Sequence, residues 1–216
     1  MSGAGPDVLN HPFKDGRLAL EVACRSKDWR LVQALVLSGA AVNGAFQGPK
    51  DGAMVALHAA CHDGALTIIY LLLEKAPKSY DDRNWGYYSF PLSFAAFRGE
   101  LDLLARLLTS GADPNLKDHA GRSPLHDVSN NIAGDVNIAQ CLLDFKADPN
   151  LTSNDGDTPL HHACSCGHVE IVKCLLRHNA DPSTRDKNGK TALQLAREEN
   201  GEDSEIVKIL LGHNSQ

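Results

Sequence analysis

Three histidines and two cysteines fall within eight residues in the stretch His161-His162-Ala163-Cys164-Ser165-Cys166-Gly167-His168. Imidazole and thiolate are zinc ligands. Cys166 and His162, four apart and so on one face of a helix, are also the residue types of a nucleophile and its base. Neither chemistry finds its remaining parts in the chain. There is no second Cys-x-x-Cys pair to complete four ligands, and no orienting acid or set of oxyanion donors at a recognisable spacing. A Gly-rich phosphate loop and a Gly-x-Ser-x-Gly elbow are likewise missing. The expectation is a chain with no catalytic, metal-binding or cofactor-binding residue.

The elements around this stretch account for most of it. Asp155-Gly156-Asp157 reads as a turn whose glycine is free to take positive φ. Thr158 stands where a helix N-cap belongs, and Pro159 at the first helical position, where its missing N–H costs nothing. Leu160 and Ala163 face inward from a short first helix, and Gly167 ends it. His168 opens a second helix, whose Ile171, Val172, Leu175 and Leu176 form one apolar stripe at the helical period. Asn179-Ala180-Asp181-Pro182 stops that helix.

The same sentence recurs along the chain. Ser123-Pro124-Leu125-His126, Thr191-Ala192-Leu193-Gln194, Phe90-Pro91-Leu92-Ser93, Val55-Ala56-Leu57-His58 and Leu18-Ala19-Leu20-Glu21 are copies of Thr158-Pro159-Leu160-His161. The anchoring leucines 20, 57, 92, 125, 160 and 193 are 33 to 37 residues apart. Helix ends repeat as Gly111-Ala112-Asp113-Pro114-Asn115 and Lys146-Ala147-Asp148-Pro149-Asn150. A period near 33 carrying Thr-Pro-Leu-His-x-Ala resembles the ankyrin-repeat family from about Asp15 to Leu211.

That resemblance implies an all-α fold, an α-solenoid of six helix–turn–helix units with β-hairpin-like fingers. The expected domain is single, residues 15–211, with repeats near 15–46, 51–80, 81–117, 118–152, 153–185 and 186–211, an N-terminal extension 1–14 and a short tail 212–216. It also implies that the Thr158 hydroxyl and the His161 imidazole hydrogen-bond locally. A unit cannot bury its stripe alone, so stacking stabilises it. The outermost copies are the most degraded, and Leu20→Ala is expected to cost less than Leu160→Ala. Cys24, Cys61 and Cys164 share one repeat position and Cys141 and Cys174 another. Equivalent positions sit about 10 Å apart, beyond disulfide reach, so these cysteines read as small buried hydrophobes.

Bulk properties limit the partners. A net charge of −6 makes no electrostatic case for nucleic acid or an anionic membrane, and aromatics at 6% suit helices packed through aliphatic side chains. No run approaches the roughly 20 apolar residues of a membrane span, and the N-terminus lacks the blocks of a signal peptide. The expected address is cytoplasm or nucleus, and the expected state a monomer.

Repeat scaffolds of this kind bind proteins or peptides on the concave surface of fingers and first helices, and the resemblance implies that role here without an enzymatic one. By register the partner-facing positions are Met54, His62, Asp63, Ser89, Phe97, Arg98, Arg122, Asn130, Asn131, Asp157, Ser165, Cys166, Lys187 and Lys190. The finger Trp85-Gly86-Tyr87-Tyr88 breaks the pattern with large aromatics, which are either hot-spot anchors or local packing. Phe90 replaces the motif threonine and is expected to turn inward. Asp81, Asp82, Asp118, Asp155 and Asp157 at finger tips read as turn chemistry; the alternative is a negative groove for basic peptides, whose field Arg83, Lys117, Arg122 and Lys187 dilute. About two extra residues enter the repeat at Asn130–Asp135 and again near Asn200-Gly201. A stand-alone adaptor is the favoured reading, because the chain ends a few polar residues past Leu211. A substrate-recognition subunit of a ubiquitin ligase and an accessory module of a larger enzyme are the alternatives.

Overall fold

The structure, a computed structural model, describes residues 9–14, 18–40, 56–75, 91–131 and 134–213, without the side chains of residues 57 and 58. Among these residues the chain forms twelve helices in consecutive pairs. They are α1 (Ala19–Arg25), α2 (Trp29–Leu37), α3 (Ala56–Asp63), α4 (Leu66–Lys75), α5 (Pro91–Arg98), α6 (Leu101–Thr109), α7 (Pro124–Asn130), α8 (Val136–Asp144), α9 (Pro159–Cys166), α10 (Val169–Arg177), α11 (Ala192–Asn200) and α12 (Glu205–His213). The expected all-α repeat architecture is present. Of the expected hairpin-like fingers, the described residues hold one antiparallel bridge, Arg185 with Thr191.

The chain divides into two compact units, Met1–Phe94 and Ala95–Gln216. In the first, α1 packs on α3 and α2 on α4, and Lys27 Nζ lies 3.0 Å from Asp63 Oδ1. In the second, the inner helices stack as α7 on α9 on α11, and the outer ones as α6 on α8 on α10 on α12.

Three of the first helices, α7, α9 and α11, start by the same local chemistry. Thr158 N–H donates to His161 Nδ1 at 3.2 Å, with the Thr158 hydroxyl 2.8 Å from the same nitrogen. Ser123 repeats this with His126 at 3.0 and 2.9 Å, and Thr191 with Gln194 at 2.9 Å. The second ring nitrogen reaches onward: His126 Nε2 donates to the Asp157 carbonyl and His161 Nε2 to that of Lys190. One residue thus caps its own helix and ties down the next finger. The local bond implied for Thr158 and His161 is therefore present.

The apolar stripe Ile171, Val172, Leu175 and Leu176 is buried, as its period requires. Leu92, Leu125 and Leu160 are buried, and Leu20 is only 1% exposed. Leu193 is the half-buried member of the set. The expectation that Leu20→Ala costs less than Leu160→Ala loses its ground: at Leu20 the anchor is as deep as in the interior, because α3 packs against α1. Cys24, Cys61, Cys164 and Cys174 are buried, Cys141 is half-buried and Cys166 exposed, and none of the six is bridged.

The second helices α2, α6, α8 and α10 end in the left-handed region. Glycine meets this at Gly39 and Gly111, but Lys146 and Asn179 hold φ of 72° and 65°. A lysine in that conformation is strained by about 1 to 2 kcal/mol, whereas asparagine tolerates it. Lys146→Gly is therefore expected to stabilise the protein by about 0.5 to 1 kcal/mol, the greater freedom of glycine in the unfolded chain taking part of the relief. Asn179→Gly should change little. Thermal melts check this, and a lower midpoint for Lys146→Gly would contradict the strain argument.

Candidate partner-binding face

Neighbouring repeats of the second unit are stitched by amides rather than by hydrophobic contact alone. Asn115 Nδ2 donates to Lys146 O, while its Oδ1 accepts from Asp148 N at 2.7 Å. Asn150 does the same one repeat on, with Asn179 O and Asp181 N. At the fingers, Asn154 N and Nδ2 donate to Ala120 O and His119 O, both at 2.8 Å, and Lys187 N donates to Asp155 O. At the far ends of the inner helices, Asn131 Nδ2 donates to Phe97 O. His168 Nε2 donates to Asn131 O at 2.8 Å, and Asn200 Nδ2 to Cys164 O at 2.6 Å. Asn131 and Asn200, in the fourth and sixth repeats, thus each reach back to the preceding repeat.

These bonds sort the expected partner-facing residues. Asn131 is spent on Phe97, and Asn130 Oδ1 accepts from the Cys166 thiol at 3.7 Å. Arg122 grips Asp118 through Nε and Nη2, at 3.1 and 2.9 Å, while Asp118 Oδ1 also accepts from Ala120 N and Arg122 N. Lys187 pairs with Asp155 and Lys190 with Glu198. Asp157 is half-buried and offers its carbonyl to His126. In the first unit His62 is exposed and lies 3.1 Å from Asp63, whose carboxylate also takes Lys27. Phe97, Arg98, Ser165 and Cys166 are exposed. Met54, Trp85, Tyr87, Tyr88, Ser89 and Phe90 lie outside the described residues.

The histidine–cysteine stretch is distributed among structural tasks. His161 caps α9, Cys164 is in the core with its thiol pushed by burial up to about 12, and His168 holds the preceding repeat. The Cys166 thiol turns to Asn130, not to His162, and burial raises it above the ordinary thiol range. A thiol held protonated is a poor nucleophile and a poor metal ligand. Among the described residues, no group of three or more His, Cys, Asp or Glu side chains is placed to hold a metal ion.

The equivalent ends of the inner helices form the face that stays open. It carries Phe97 and Arg98 from α5, Asn130 from α7, Ser165 and Cys166 from α9, and Glu198 and Glu199 from α11, all exposed. Arg98 and Glu199 make no ion pair among the described residues. Register alone pointed to Phe97, Arg98, Asn130, Ser165 and Cys166, but not to Glu198 and Glu199. The bridging roles of Asn154 and Asn200 went unseen, although the recurrence of Asp-Pro-Asn at Asn115 and Asn150 signals that asparagines link repeats here. No helix among the described residues is long and apolar enough to cross a membrane.

Comparison with known proteins agrees with this architecture. The family model for ankyrin repeats in three copies matches residues 20–118, 92–186 and 125–216. The B-cell lymphoma 3 protein homolog of Mus musculus is 28% identical over 128 residues, 59% of this chain and 28% of the relative. The nuclear factor NF-kappa-B p105 subunit of Mus musculus is 31% identical over 121 residues, 56% of this chain and 12% of the relative. The probable E3 ubiquitin-protein ligase XBOS33 of Oryza sativa subsp. japonica is 36% identical over 69 residues, 32% of this chain and 13% of the relative. The chain therefore spans less than a third of each of these relatives.

Proposed function

The chain belongs to the ankyrin-repeat family, and from that premise we propose that it is a non-enzymatic adaptor that binds a protein or peptide segment along the inner-helix ends of its second unit. The observation that carries the reading is the row Phe97–Arg98, Asn130, Ser165–Cys166 and Glu198–Glu199, exposed while the flanking amides are consumed in holding the repeats in register. A row held so firmly binds without reordering, which keeps the entropic cost of association low.

Its charge is polarised. Arg98 stands at one end and Glu199 at the other, beside Glu198 and Glu202, which pair with Lys190 and Arg197. A segment with an acidic stretch over Arg98 and a basic stretch over Glu199 fits this order, with the half-exposed Phe97 ring as the apolar anchor. Such polarity sets orientation and association rate more than affinity.

The test is affinity purification with wild type and with a Phe97→Ala/Arg98→Glu variant, quantified by mass spectrometry, followed by titration of the partner recovered. Affinity should fall at least about tenfold, as loss of a hot spot does, with the thermal midpoint nearly unchanged. Equal recovery by the two proteins would move the interface elsewhere. Recognition of ubiquitin-ligase substrates is the second reading, supported by the similarity to a probable E3 ubiquitin-protein ligase. Recovery of ubiquitin-ligase subunits with the wild type would favour it.

A further inference from the structure

We propose that the packing of α7 on α9 is an acid-released joint, held closed by His126 and His162 only while both rings are neutral. The two rings meet edge to face across this contact, with centroids 5.8 Å apart. His126 is fully buried, and its hydrogen bonds dictate its protonation. Its Nδ1 accepts from Ser123 N–H, so that nitrogen carries no proton, and its Nε2 donates to Asp157 O. A second proton on Nδ1 would set two N–H donors against each other at 3.0 Å and undo the cap of α7. His162 is nearby in α9, and its buried Nε2 has no hydrogen-bond partner among the described residues. A charge there would gain no acceptor to offset its desolvation.

The groups facing the pair offset that charge only weakly: the Ser123 hydroxyl, 2.9 Å from His126 Nδ1, can turn to accept from a protonated ring, but it is a neutral dipole. Around His126 they are the Asp157 carbonyl, His162, Lys117 and Arg122; burial is the largest influence and lowers its pKa to about 4, the carbonyl opposing. Around His162 they are Asp157, Arg122, His161 and Asp155, and burial again leads, lowering its pKa. The folded chain therefore binds fewer protons than the unfolded chain below the ordinary value of 6.5. Stability is full above that pH and is lost as pH falls toward about 4. The loss begins at one contact between two repeats. The second unit should therefore open at α7–α9 first.

His126→Gln tests this without removing the cap, because Gln194 makes the same contacts with Thr191 in α11. Between pH 7 and pH 4 the unfolding constant of the full-length wild type should rise about a hundredfold more than that of His126→Gln. Hydrogen exchange at pH 5 should show α7 and α9 losing protection before α10. If His126→Gln fails to fold at pH 7, His162→Leu takes its place, since Leu195 occupies that register in α11, and its acid loss should be smaller than that of wild type. In every case an NMR titration of the wild-type histidine rings decides. A His126 ring that titrates below pH 5 supports the joint. One that titrates near pH 6.5, or variants whose acid limb parallels the wild type, overturns it.

Discussion

Leu160→Ala is expected to cost about 2 to 5 kcal/mol of folding stability. Leu160 is fully buried in α9, which packs on both α7 and α11, so the lost methyl groups leave a cavity walled by two neighbouring helices that cannot easily collapse into it. The same substitution at Leu20, 1% exposed, should fall in the same range. At the half-buried Leu193 it should cost about half as much, because water already reaches part of the side chain. Chemical denaturation of the three variants measures the order. A cost below about 1 kcal/mol at Leu160 would mean that the repeat relaxes around the gap.

Gly121→Ala should be nearly as severe, at about 3 kcal/mol. Gly121 holds φ of +75°, and a Cβ there would stand 2.5 Å from Asn154 Oδ1 and 2.8 Å from Asn154 N. Left-handed strain contributes about 1 to 2 kcal/mol. Displacing Asn154 then loses its two bonds to the preceding finger, each worth about 1 kcal/mol. Gly189 separates these terms, since it has the same φ of +75° but nothing within 4 Å of a Cβ. Gly189→Ala should therefore cost the strain alone, about 1 to 2 kcal/mol. Equal losses at the two glycines would show that the fingers are not held by Asn154.

The comparison between Gly121 and Gly189 also shows where reading the chain stops. Both glycines close the same Asp-x-x-Gly turn, and nothing in either stretch tells which one is pressed against a neighbour. The same holds for the partner-facing row. Register placed Asn130, Asn131, Arg122 and Lys190 on it, yet each is engaged by another residue of the chain. Ser165 and Arg98, at the registers of Asn130 and Asn131, are exposed and make no such bond among the described residues. The difference lies in which neighbouring group comes within reach of each side chain, and periodicity does not encode that.

The sequence by itself determined the helix pairs, their caps and their inward faces. Each of those rests on contacts within four residues: a hydroxyl or an N–H to the side chain three positions on, a glycine in the left-handed region, leucines one turn apart. Such contacts recur with the motif and are legible wherever the motif is. Only the tertiary structure decided what passes between repeats. The bonds from Asn131 to Phe97, His168 to Asn131 and Asn154 to Ala120, and the meeting of His126 with His162, join residues about one repeat apart. Whether two such side chains touch depends on how far each repeat is displaced against the next, and that displacement is set by packing across the stack rather than by the residues of any one copy.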